Sequence, residues 1–141
     1  MYSVLNIIPL CLYSFTGIVA LVMAYKSIVS TTFLPFHEQA AGKSWDSIDG
    51  GLRFVILALM KISGLGFLVI ALLLMSIPIS HYLNYGSPVQ YIIPVISFLY
   101  CFGLFLVNYQ LAVKTKAKTP WKGSLFAAIL IAIGIVISFM Q

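Results

Sequence analysis

The sequence predicts an all-α membrane protein: a four-transmembrane-helix bundle with a short amphipathic interfacial helix in the first loop. Three observations carry this expectation. The chain is 62% apolar and 8% charged, with a mean hydropathy of +1.08, whereas a soluble domain carries about 25% charged residues. Four apolar runs, at about 4–25, 53–77, 91–113 and 123–140, each approach the ~20 residues a helix needs to cross the hydrocarbon core. The charged side chains, finally, are distributed unevenly between the gaps that separate those runs. What remains is too short for a separate soluble domain, so residues 1–141 form a single integral membrane domain.

The first run lacks a basic segment before it, exceeds the length of a signal-peptide core, and ends at Lys26. It is therefore expected to persist as the first transmembrane helix. At 100° per residue it gathers Asn6, Tyr13, Gly17, Ala20 and Ala24 on one stripe. In lipid, small and polar residues identify the packed face better than apolarity does.

The first gap, 26–52, is longer than compact proteins usually leave without structure. Read as a helix from Phe33, it places Phe33, Phe36, His37, Ala40, Ala41, Ser44, Trp45 and Ile48 on an apolar half. Glu38, Gln39, Gly42, Lys43, Asp46 and Asp49 occupy the other half. This pattern suits a helix lying in the headgroup plane. Pro35 fits its first turn, Lys43 and Asp46 stand at i,i+3, and Gly42 is expected to split it into two short helices. Asp49 is placed to cap the second span, with Gly50 and Gly51 permitting the turn.

The second run carries Lys61 about 8 residues, or ~12 Å, beyond Arg53. An ammonium at mid-membrane costs roughly 2.5–3.5 kcal/mol, so Lys61 either snorkels to the interface or faces an anionic ligand or a loop carboxylate. Gly64 and Gly66 permit close helix packing. The gap 78–90 contains His81, Tyr82 and Asn84-Tyr85-Gly86-Ser87-Pro88 and is expected to form an outer turn with interfacial tyrosines. The third run gathers Ser97, Cys101 and Asn108 near Pro94; the fourth gathers Gly123, Ala127, Gly134 and Ser138. Before the fourth run, Thr119-Pro120-Trp121 is a helix-start signal, with Thr119 as cap and Pro120 in the first turn. Asn6, Ser97 and Asn108 are expected to make interhelical hydrogen bonds before any contact with a substrate.

Lys26, Lys43 and Arg53 flank the first gap, and Lys114, Lys116, Lys118 and Lys122 flank the third; the middle gap and both ends carry no formal charge. Basic residues in short loops stay in the cytoplasm. The first and third loops are therefore expected inside, with the N-terminus and C-terminus outside (periplasmic in a bacterium). The net charge of +5 then belongs to a rim facing anionic headgroups, worth about 1 kcal/mol per residue. No groove-reading motif accompanies it, so nucleic acid is not an expected partner. Cys11 and Cys101 lie at different depths and outside any paired motif, which predicts buried free thiols and no disulfide.

Pro35-Phe36-His37-Glu38-Gln39-Ala40-Ala41-Gly42-Lys43-Ser44-Trp45, followed by Leu59-Met60-Lys61 with Gly64 and Gly66, and later by Thr119-Pro120-Trp121, resembles an uncharacterised group of small bacterial four-span inner-membrane proteins. Their shared pattern is P-x-H-x-x-A-x-G-x-x-W, then L-M-K-x-x-G-x-G, then T-P-W. The resemblance covers most of the chain. It implies a bacterial inner membrane and a functional first loop, and it carries no catalytic assignment.

The candidate ligand-binding residues are His37, Glu38, Trp45, Lys61 and Asn108. His37 falls on the apolar half, where an imidazole needs a partner and could handle a proton; a structural hydrogen bond from loop to bundle is the simpler role. A metal site from His37, Glu38, Asp46 and Asp49 is disfavoured because the acids fall on the opposite half, and His81 lies across the membrane. No metal, no cofactor and no catalytic residue is expected, and enzyme motifs are absent. The leading expectation is an accessory or binding protein, packing against a membrane partner or holding a lipid-like molecule between its helices. Expected partners are the bilayer, such a ligand, and either further copies of the chain or a larger membrane complex. A small-solute transporter or channel working as an oligomer comes second. A membrane enzyme acting on a lipid or quinone at the cytoplasmic face comes third.

Overall fold

The computed structural model describes residues 4–83 and 89–140. It is helical: α1 Val4–Val29, α2 Pro35–Ala41, a 3-10 turn Trp45–Ser47, α3 Gly50–Tyr82, α4 Val89–Thr115 and α5 Trp121–Phe139. Four of these, α1, α3, α4 and α5, are long and apolar enough to cross a membrane. Large apolar side chains stay exposed along all four, among them Ile18, Ile62, Leu99 and Phe126. That surface suits lipid and not water.

The helices form an incomplete ring. α1 packs most closely on α3 and then on α5; α4 packs on α5; α3 and α4 barely meet, and α2 lies against α4. The order around the ring is therefore α3, α1, α5, α4, with an opening between the last and the first. The segment that joins α1 to α3 reaches across that opening to α4.

Glycines set the close contacts. A Cβ added at Gly64 would lie 2.7 Å from Cγ1 of Ile28, 3.0 Å from Cβ of Ser27 and 3.2 Å from the Ala24 carbonyl oxygen. At Gly17 it would lie 2.9 Å from Cγ of Met75 and 3.4 Å from the Ala71 carbonyl oxygen. Both contacts join α1 to α3. At Gly134 an added Cβ would lie 2.6 Å from the ring of Tyr13, whose side chain is 2% exposed; this joins α1 to α5. The core beside these contacts contains Ile70, Leu74, Ile93, Cys101, Ala128 and Ile131.

The predicted stripe of α1 is buried at Tyr13, Gly17, Ala20 and Ala24; the Asn6 side chain lies outside the described part. On α4, Pro94, Ser97 and Cys101 are buried. Gly123 departs from its expected role: it is exposed, and an added Cβ there would meet nothing within 4 Å. Cys11 is exposed and only Cys101 is buried, both as free thiols. The second span runs further than expected, through Pro78 to Tyr82 with Leu83 as its cap, and the rest of the predicted outer turn, 84–88, lies outside the described residues. At 33 residues, α3 is ~50 Å long against a hydrocarbon core of ~30 Å.

Most polar side chains inside the spans bond to their own helix instead of a neighbouring one. Ser14 donates to Leu10, Thr16 to Leu12, Asn108 to Leu104 and Ser138 to Gly134, each to a backbone carbonyl at 2.7–2.9 Å. A carbonyl one turn back is always within reach of a short polar side chain, which is why the expected cross-helix bond of Asn108 does not form. Ser97 is 0% exposed, and its hydroxyl has no partner among the described residues. Tyr13 and Ser138 provide a cross-helix contact at 3.4 Å.

These contacts predict unequal responses to small substitutions. Gly64→Val is expected to lower stability by about 1–3 kcal/mol, because the added atoms have no room. Gly103→Ala, where a Cβ meets nothing within 4 Å, should be neutral or stabilising by up to ~1 kcal/mol. Unfolding in detergent micelles measures both.

Candidate functional site

The first loop is built by local rules that the sequence displays. Pro35 sits in the first turn of α2 behind an extended Leu34. α2 ends at Gly42, whose φ of +62° closes the helix with a hydrogen bond from its N–H to the Glu38 carbonyl. Glycine takes this left-handed conformation without steric cost. Ser44 is extended, and the 3-10 turn follows. The break between Lys43 and Asp46 removes their predicted i,i+3 pairing on one helix. The Asp49 carboxylate accepts from the Gly51 N–H at 2.9 Å, as expected of a cap.

Arg53 fastens the end of this loop. Its Nε donates to the Ile48 carbonyl at 2.8 Å and a terminal nitrogen donates to the Asp46 carbonyl at 2.6 Å. Its guanidinium also lies 5.7 Å from the centre of the Trp45 ring. Trp45 in turn meets Phe33 edge to face, with centroids 5.0 Å apart.

The third loop is tied to the same end of the bundle. Thr119, expected as a cap, instead donates its hydroxyl to the Asn108 carbonyl at 2.8 Å. α5 begins one residue later, with no side-chain cap bond at Pro120. The Lys118 N–H donates to the Gln39 side-chain oxygen at 3.3 Å, which joins the two basic loops directly.

Between these loops and the α3–α4 opening lies a cavity of about 540 Å³. Phe33, Phe36, His37 and Ala40 roof it from the loop side, Met60 and Ser63 line its α3 wall, and Leu104 and Asn108 line its α4 wall. A smaller chamber of about 140 Å³ adjoins it at the centre of the bundle, and Met23, Phe67, Leu104, Asn108 and Pro120 line both. Phe67 of α3 meets Tyr100 of α4 edge to face at 5.8 Å. An added Cβ at Gly66 would lie 2.7 Å from the Tyr100 hydroxyl oxygen, so this glycine makes room for Tyr100. The ring pair bridges the opening where α3 and α4 otherwise stand apart.

Of the five candidate residues, the structure brings two to this cavity. His37 and Asn108 line it. Trp45 is half-buried and supports Phe33 from outside the lining. Glu38 and Lys61 are exposed and line neither chamber. His37, Glu38, Asp46 and Asp49 do not converge: among the described residues no group of three or more metal-ligating side chains forms. Sequence reasoning passed over Phe67, Tyr100, Ser27 and Ser63. Their only signal was being aromatic or small within an apolar run, which most residues nearby share.

His37 is half-buried, its ring centroid 4.0 Å from that of Phe36 and 6.2 Å from that of Phe33. Its Nδ1 is enclosed without a hydrogen-bond partner among the described residues. This burial pushes the imidazole below its usual pKa, so the ring is neutral at pH 7. No family model, curated protein or solved structure matches the chain.

The sign of the pH effect follows from that depressed value. The unfolded loop takes up the proton first, so the contribution of a docked neutral ring is complete above about pH 6.5 and is lost as the pH falls through the lower folded value. Acidification from about pH 7.5 to 5 is therefore expected to lower the protection of the α2 amides, read as their exchange rate relative to the intrinsic rate at each pH. His37→Phe should remove that dependence, which hydrogen-exchange mass spectrometry reads.

Proposed function

We propose that this protein holds a lipid-like molecule in the cavity between α3 and α4, beneath the α2 strap. The carrying observation is the shape of the site. A cavity of about 540 Å³ falls within the ~300–1,000 Å³ range of small-molecule sites, and its mostly apolar walls carry Ser27, His37, Ser63 and Asn108. The opening between α3 and α4 faces the same exposed apolar surface that suits a bilayer, so a ligand can pass sideways from lipid. His37 and Asn108 stand where a polar head would sit.

We place the chain in a bacterial inner membrane with its basic loops in the cytoplasm and both ends outside. Seven Lys/Arg flank the first and third loops, and the Gln39–Lys118 bond supports their lying at one end. The resemblance to the small four-span group described above agrees with this placement.

The transport reading ranks second. A solute path would have to continue from the central chamber past Leu74 and Ile131, which are 0% exposed. The enzymatic reading through His37 and Glu38 ranks third, because general acid–base groups must reach one substrate and Glu38 faces away from the cavity lining.

Two experiments test the proposal. Protein extracted gently from membranes should carry a co-purifying lipid-like molecule in native mass spectra. Ala40→Trp with Ser63→Phe, which fills the cavity, should reduce that species about tenfold without unfolding the bundle. Retention unchanged by filling would contradict the site. For orientation, Lys118→Cys in a background lacking Cys11 and Cys101 should resist an impermeant maleimide in spheroplasts, and Gln141→Cys should react.

A further inference from the structure

Charge is absent from the place where a phospholipid would need it. The chain has eight Lys/Arg, and seven of them flank the loops at the cavity's end of the bundle. None lines the cavity, and neither does any Asp or Glu. The polar groups in its lining are Ser27, His37, Ser63 and Asn108. Lys61 follows Met60, a lining residue, in sequence but is exposed elsewhere on α3.

A phosphate brought into such a cavity would lose hydration without gaining a cation, and an unpaired buried charge is strongly disfavoured. A hydroxyl or amide head would lose far less. It would also find partners: His37 is a neutral ring whose Nδ1 has no hydrogen-bond partner among the described residues, and a neutral imidazole offers one donor and one acceptor. The Asn108 side chain spends an N–H on the Leu104 carbonyl, which leaves its amide oxygen to accept. Seryl hydroxyls at 27 and 63 complete a set suited to an uncharged, hydroxyl-bearing head.

Resting on the lipid-binding reading above, we infer that the occupant is a neutral lipid with a hydroxyl headgroup, of the diacylglycerol or long-chain alcohol type, and not an anionic phospholipid. The head lies among His37, Asn108 and the two serines. The chains extend toward the central chamber and out through the α3–α4 opening.

The test compares two probes that differ only in the phosphate. The full-length protein is equilibrated in phosphatidylcholine nanodiscs doped with either dioleoylglycerol or dioleoyl phosphatidic acid, and retained lipid is read by native mass spectrometry. The wild type should retain dioleoylglycerol over phosphatidic acid by about tenfold. Ser63→Lys, which installs a cation in the wall, should shift retention toward phosphatidic acid; no shift would overturn the role assigned to the missing charge. Equal or preferred retention of phosphatidic acid by the wild type would overturn the neutral-head inference and leave lipid binding standing. Retention of neither probe, with no native lipid carried through purification, would overturn both.

Discussion

Without side chains at Gly17 and Gly64, the α1 and α3 backbones approach until each glycine lies near a carbonyl oxygen of the opposite helix, and the remaining helices are placed by that contact. In lipid there is no hydrophobic force between apolar helices, so tight packing at small residues decides which neighbours associate. α3 places Gly64 and Ala71 against α1. α5 packs on the other side of α1 through Gly134 and Tyr13, and α4 follows α5. α4 meets α3 through one such contact, Gly66 against Tyr100, and has no backbone-to-backbone approach like that of α1 and α3. The ring stays open there, with the Phe67–Tyr100 pair bridging part of the gap.

The loops answer that opening. The linker from α1 to α3 had only to connect two adjacent antiparallel helices, yet it crosses to α4 and fastens at several points. Gln39 holds the third loop, Thr119 ties that loop to α4, and Arg53 pins the 3-10 turn under Trp45. α2 is thus held over the cavity through Gln39 and through the Phe33–Trp45 contact, while His37 on its cavity side keeps a ring nitrogen without a partner among the described residues. Leaving a buried polar atom without a partner costs on the order of 1–3 kcal/mol. A ligand that supplies the partner recovers part of that cost.

Much of this was legible in the residues. Span number and position follow from apolar length, and the packed face of α1 follows from its small residues. Gly42 and Asp49 act through local backbone geometry, which needs no knowledge of neighbours. The failures share a different cause. Gly123 looks like a packing residue, but a glycine permits contact without compelling it. Asn108 satisfies its amide on its own helix, because that carbonyl is present before any bundle forms. Thr119 could cap α5 or bond to α4, and only the folded loop decides. α3 continues through Pro78, whose cost within a lipid-embedded helix is softened by local adjustment; the Ser76 and Ser80 hydroxyls beside it bond to the Leu73 and Ile77 carbonyls. The cavity left no local trace, since it arises from a contact that α3 and α4 do not make.

An experimental density map of the protein in lipid nanodiscs tests the open α3–α4 cavity and its occupant together. In it, α3 and α4 should stand apart on the loop side of the Phe67–Tyr100 pair, with an elongated density between them whose head lies beside His37 and Asn108 under α2. A map in which α3 and α4 close against each other along that stretch, leaving no space beneath α2, would contradict both.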